Sequence, residues 1–189
     1  MSSPEDVLDY WLGAIGPEGW YAGGAALDVD IRERFEDVWR AALGGGLDHW
    51  VAGPGPGLAF IVLTDQFPRN MFRDRAEAFA TDALALEAAK VAVAQGWDMV
   101  APEPERQFFY MPFEHSEHAA DQEAAVALMA ERMPENPGNL LHARVHQEMI
   151  RRFGRFPARN AALGRVNTSE EAAFLAEGGY GALVRAMQN

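Results

Sequence analysis

LAFIVLTDQFPRNMF, Leu58 to Phe72, is the stretch on which the reading of the fold turns. Its opening run, Leu58 to Leu63, is wholly apolar, and such a run suits a buried strand as well as a buried helix. The flanking segments decide between the two. Upstream, Ser3 and Pro4 open a segment carrying Val7, Leu8 and Trp11, an N-cap followed by proline at the first helical position. Ile31, Phe35, Val38, Trp39 and Ala42 then recur with the period of one helix face, with Asp28 as candidate cap and Gly44-Gly45-Gly46 as the stop. Downstream, an Ala- and Leu-rich helix is predicted from about Arg75 to Gln95, capped by Asp74 and ended by Gly96. Segments 103–112, 117–133 and 138–153 read as three more, the last two parted by Pro134-Glu135-Asn136-Pro137. Thr168 and Glu171 form a capping box ahead of Ala172, Phe174 and Leu175. With helices on both sides, the apolar run is read as helix. GPGPG before it, Gly53 to Gly57, is read as a turn that no helix survives. The expected class is all-α, with seven to nine helices and short connections, in a single domain over residues 1–189.

Phe-Pro followed by Arg-Asn occurs twice, as FPRN at 67–70 and FPARN at 156–160. Proline withholds an N–H and pushes the preceding Phe67 or Phe156 out of the α region, so each copy should end a helix. Asn70 and Asn160 would then fall in turns, where asparagine tolerates positive φ. Arg69 and Arg159 would reach carboxylates or helix C-terminal carbonyls. The extra Ala158 means that the two turns need not superpose.

The charge pattern excludes some partners. A net charge of −12 and a pI near 4.8 repel nucleic acid and anionic membrane surfaces, so neither is expected. Cysteine is absent, which removes disulfides, thiolate metal sites and a cysteine nucleophile. The N-terminal MSSPEDVLDYW carries no basic, apolar leader, and no apolar run approaches the roughly 20 residues of a membrane span. A cytoplasmic location is expected. All basic residues but Lys90 are arginine, the side chain suited to bidentate ion pairs and anion recognition.

DQFPRN (65–70), AFATDALAL (78–86), ERQFFYMPFEHSE (105–117), DQE (121–123) and FGRFPARNAALGR (153–165) together carry a likeness that runs from Trp11 to about Leu175. In these motifs the chain resembles domain-of-unknown-function family 924, a bacterial family. The resemblance implies a tetratricopeptide-like array of antiparallel helices and no assigned reaction. Members commonly carry histidine between the second Pro and Arg, where this chain has Ala158, so chemistry needing an imidazole there is not expected.

Three constellations bear on function. Arg69, Arg106, Arg155 and Arg159, with Asn70 and Asn160, lie in the shared motifs near Asp65, Glu105 and Glu114. They read either as ion-pair locks between turns or as anchors in a concave groove for a peptide or small anionic ligand. Glu114 and His115, with Asp65, are candidates for acid–base work in a hydrolase-type enzyme, with or without a metal. His142 and His146 stand four apart on a predicted helix and face one side, the spacing of a zinc or iron pair, with His118 as a third candidate. HARVH lacks the internal glutamate of a metalloprotease helix, and surface or helix-capping histidines are the plainer alternative. No cofactor is expected. The leading expectation is a helical binding module with an arginine-lined groove, and the alternative is the Glu114/His115 enzyme.

Overall fold

The structure, a computed structural model, describes residues 2–188. Among them the chain forms nine helices joined by turns and short 3-10 segments, with no strand. It divides into two compact units, Met1–Pro112 and Phe113–Asn189. None of the described helices is long and apolar enough to cross a membrane.

In the first unit, α1 begins at Pro4–Leu8 under a capping box in which the Ser3 side chain and the Asp6 N–H, and the Asp6 carboxylate and the Ser3 N–H, satisfy each other. It continues through a π-helical segment, Asp9–Ile15, to Gly16–Gly19. Helix α2 is Ala25–Leu43. Asp28 is not its cap, as the sequence suggested. It lies in the first turn, where it favours the helix dipole and takes Arg73 in two hydrogen bonds of 2.9 and 2.8 Å.

Helix α3 overturns two expectations. It starts at Pro54, inside GPGPG, and runs as Pro54–Ile61, a π-helical Val62–Gln66, and Phe67–Met71. Prolines 54 and 56 cost no hydrogen bond there, because the first turn of a helix leaves its N–H groups without intrahelical partners. A Cβ on Gly57 would sit 3.4 Å from the Trp97 ring, so the helix packs closely there. The helix also passes through Phe67-Pro68, with Phe67 in the α region at φ −60°, ψ −40°. The widened π turn admits the proline ring. The Thr64 carbonyl, which residue 68 would normally serve, instead accepts the Thr81 hydroxyl at 2.6 Å. That hydroxyl in turn accepts the Trp39 indole N–H at 3.0 Å, all of it buried. The Phe67 ring lies between Tyr10, Trp11 and Phe35 in the core, 4.7 Å from the last.

Helix α4 is Asp82–Ala94, shorter than the segment read from Arg75. Asp74 has φ +62° rather than a cap geometry, a 3-10 turn occupies Ala76–Phe79, and Thr81 leaves the helical region to aim its hydroxyl at Thr64. Gly96 closes α4 with a left-handed φ, as read. The segment taken as a helix over 103–112 is a 3-10 turn, Glu105–Phe109, and then the single turn α5, Met111–Glu114. Prolines 104 and 112 break up any longer run.

In the second unit, α6 (Ala119–Arg132) and α7 (Pro137–Phe153) pack as a hairpin. Gly154 ends α7 in the left-handed region and Phe156 is extended, so the second Phe-Pro does follow a helix end. Asn160 keeps φ −59° and needs no positive φ. Helix α8, Ser169–Ala176, carries the expected capping box of Thr168 and Glu171. Gly178 and Gly179, both at positive φ, then turn the chain into α9, Gly179–Gln188. That reversal lays Tyr180 and Leu183 against a core of Met149, Ile150, Phe156 and Phe174.

Candidate functional site

The arginines of the twin motifs serve mainly to join elements within each unit. In the first, Arg69 reaches from α3 to the Asp82 carboxylate with hydrogen bonds of 2.9 and 3.1 Å, and its NH1 lies 3.3 Å from the fully buried Asp65 carboxylate. Asn70 donates to the Gln66 carbonyl, and Arg106 to the Ala101 carbonyl at 3.0 Å. In the second, Arg155 clamps Glu171 in two bonds of 2.6 and 2.8 Å and also donates to the Val166 carbonyl. Buried Asn160 donates to Asn167 at 2.8 Å. Arg159 stacks its guanidinium 4.5 Å over the Phe156 ring. A groove of about 510 Å³ does run along α6 and α7, but Gln122, Arg144, Gln147, Glu148 and Arg151 line it rather than the motif arginines.

The residues with proton chemistry meet on the other side of α7. Glu114, at the end of α5, is 3% exposed although it is a carboxylate. Gln122 of α6 holds its backbone in place, donating to the Glu114 carbonyl at 2.6 Å and the Ser116 carbonyl at 2.7 Å. Glu114 Oε2 lies 3.3 Å from His146 Nδ1, and the same Nδ1 lies 2.9 Å from the His142 carbonyl oxygen. A carbonyl only accepts, so Nδ1 carries the proton and neutral His146 keeps its lone pair on Nε2.

Three rings meet this imidazole. His115 meets His146 edge-on at 6.1 Å and Phe156 does so at 5.6 Å, while Tyr180 is tilted at 5.1 Å. The His142 ring stacks on Tyr180, and its Nδ1 is hydrogen-bonded to the Tyr180 hydroxyl. Desolvation lowers the His142 pKa below the ordinary 6.5, with Glu114 pulling it up and His146 pushing it further down.

Phe156 is placed by a second ion pair. Glu117 accepts the Phe156 N–H at 2.8 Å and pairs with Arg165 at 2.7 and 2.9 Å, while Arg165 donates back to the Phe156 carbonyl. The extended residue forced by Pro157 therefore has both backbone groups satisfied by one salt bridge. Desolvation would raise the Glu117 carboxyl, but the Arg165 and Phe156 hydrogen bonds outweigh it and hold the group below its usual value.

Of the expected acid–base set, Glu114 and His115 are brought to one place, while Asp65 belongs to the first unit and is engaged by Arg69 and Gln66. His142 and His146 face the same side, as the i, i+4 spacing required. His118 is apart from them, exposed at the N-cap of α6. Among the described residues no group of three or more His, Asp or Glu side chains is arranged to hold a metal ion. Tyr180 was missed. Its signal was a lone tyrosine directly after two glycines, on an apolar segment, whose hydroxyl needs a partner once the ring is covered.

The model of a family described as bacterial protein of unknown function (DUF924) matches residues 7–179. A solved structure of a protein of unknown function from Agrobacterium tumefaciens is 42% identical, with a TM-score of 0.86 over 93% of this chain and 97% of that one. No curated protein matches.

Proposed function

We infer that this chain, which belongs to the bacterial DUF924 family, carries in residues 113–189 a proton-transfer site of hydrolase type for a small polar substrate. One observation carries the reading: His146 Nδ1 is held between a buried carboxylate and a carbonyl oxygen, which directs the basic lone pair to Nε2. His146 takes a proton from an attacking water, whose oxygen bonds to the electrophilic carbon or phosphorus. The bond to the leaving atom breaks, and that atom receives a proton from the imidazolium or from the Tyr180–His142 pair. Glu114 is placed to stabilise the imidazolium between these steps, as a carboxylate behind a histidine does in acid–base catalysis generally.

The binding-module reading is the weaker one. Carboxylates of their own units already engage Arg69 and Arg155. The test is release of p-nitrophenolate from p-nitrophenyl acetate and from p-nitrophenyl phosphate. Turnover of at least one is expected, with kcat/KM lowered by about 10²-fold or more in His146→Gln and by roughly tenfold in Glu114→Gln. His118→Gln should match the wild type. No release above buffer from either compound, or a fully active His146→Gln with intact circular dichroism, would end the proposal.

A further inference from the structure

The face of α7 turned away from His142 and His146 carries Arg144, Gln147, Glu148 and Arg151, at the three- and four-residue spacing of one helix side. With Gln122 and Glu123 of α6 it walls the groove of about 510 Å³, a size usual for small-ligand sites. Glu148 and Arg151 answer each other in two hydrogen bonds of 2.6 and 2.7 Å. The other polar side chains do not. Exposed Glu123 on one wall and exposed Arg144 on the other make no ion pair or hydrogen bond among the described residues, and the Gln147 amide makes none either. Opposite charges thus line one groove without meeting.

Gln122 adds a buried group of the same kind. It is fully covered, and its Nε2 is spent on the Phe113, Glu114 and Ser116 carbonyls at 3.3, 2.6 and 2.7 Å. Its Oε1 accepts from no donor among the described residues. A buried acceptor left without a donor is costly, and this one belongs to a wall of the groove, where a ligand N–H supplies the missing bond. Ile150 and Met187 give the same groove its apolar surface, and Met187 is 38% exposed.

We propose that this groove binds a dipeptide with free termini. Glu123 takes the ammonium, Arg144 the carboxylate, Gln122 an N–H, and Ile150 with Met187 an apolar side chain. A planar guanidinium fork matches a carboxylate in two parallel bonds. A free α-amino acid holds both charges on one carbon. Walls formed by two packed helices, whose axes lie about 8–10 Å apart, instead suit the roughly 7 Å of two extended residues. The site lies on the opposite face of α7 from His146, and the proposal does not rest on the proton-transfer reading.

The test is calorimetric titration of the full chain with L-alanyl-L-leucine, with its N-acetyl and C-amide forms, and with leucine alone. Saturable binding of the free dipeptide is expected, weakened by about tenfold or more by either cap. Arg144→Gln and Glu123→Gln change exposed side chains and should each bring a similar loss. In Glu123→Gln the acetyl cap should then cost nothing further, and in Arg144→Gln the amide cap should cost nothing. No saturation by the dipeptide below about 10 mM overturns the proposal. So does a capped form or free leucine that binds as tightly, or an unchanged affinity in either folded variant.

Discussion

The Glu171 carboxylate is nearly covered, and it accepts from the Arg155 guanidinium on one side and the Thr168 N–H on the other. Arg155 first, and then the Thr168 N–H, lower its pKa from 4.5 to about 2. A folded value below the unfolded one means that the contribution is complete above pH 4.5 and drains away as pH falls toward 2. Glu171→Gln keeps the shape and removes that titration. Its urea midpoint is expected to lie below that of the wild type at pH 7, and the gap should narrow through this acid window. Two midpoint-against-pH curves that stay parallel would rule this account out. Thr168 and Glu171 were legible as a capping box because three-residue spacing is a local rule. The Glu114–His146 pair was not legible, because only the α6–α7 hairpin decides which histidine a carboxylate 32 residues upstream will meet. His115, the neighbour in sequence, was the natural guess. The structure turns its ring edge-on to His146 and gives the carboxylate contact to His146.

At the scale of elements, Phe-Pro-Arg-Asn shows how one set of letters takes two backbones. The second copy follows a glycine at left-handed φ, so proline finds the chain already out of the helix. The first follows a π turn that makes room for the ring, and the helix goes on. Proline's local rule predicts only the second outcome. The first depends on Thr81, a residue of another element, supplying the donor that Pro68 lacks. Thr81→Val should therefore leave the Thr64 carbonyl and the Trp39 indole N–H buried and unpaired. The expected cost is about 2–4 kcal/mol, measured by chemical denaturation. A loss below about 1 kcal/mol would show that the helix crosses Pro68 without this support. GPGPG taught a similar lesson. Its prolines mark a boundary, but the boundary is a helix start, because that is where a missing N–H costs nothing. The all-α class itself was legible, since amphipathic periods, caps and terminal glycines agreed along most of the chain.

Across the whole molecule the charge is uneven, with the acidic excess concentrated in residues 1–112. Self-repulsion in that unit is screened by salt, whereas its exposed ion pairs, such as Arg34–Asp30 and Arg40–Glu36, contribute little and lose little on screening. The melting temperature is thus expected to rise by about 2–4 °C between 10 and 150 mM sodium chloride, an increment that calorimetry resolves. A fall over that range would mean that the pairs outweigh the repulsion. The same division of the chain has an optical consequence. All five tryptophans, Trp11, Trp20, Trp39, Trp50 and Trp97, lie in Met1–Pro112, while all the histidines except His49 lie in Phe113–Asn189. Indole emission consequently reports on one unit and imidazole resonances almost wholly on the other. A single melt recorded both ways would show, without any label, whether the two units come apart together or in turn.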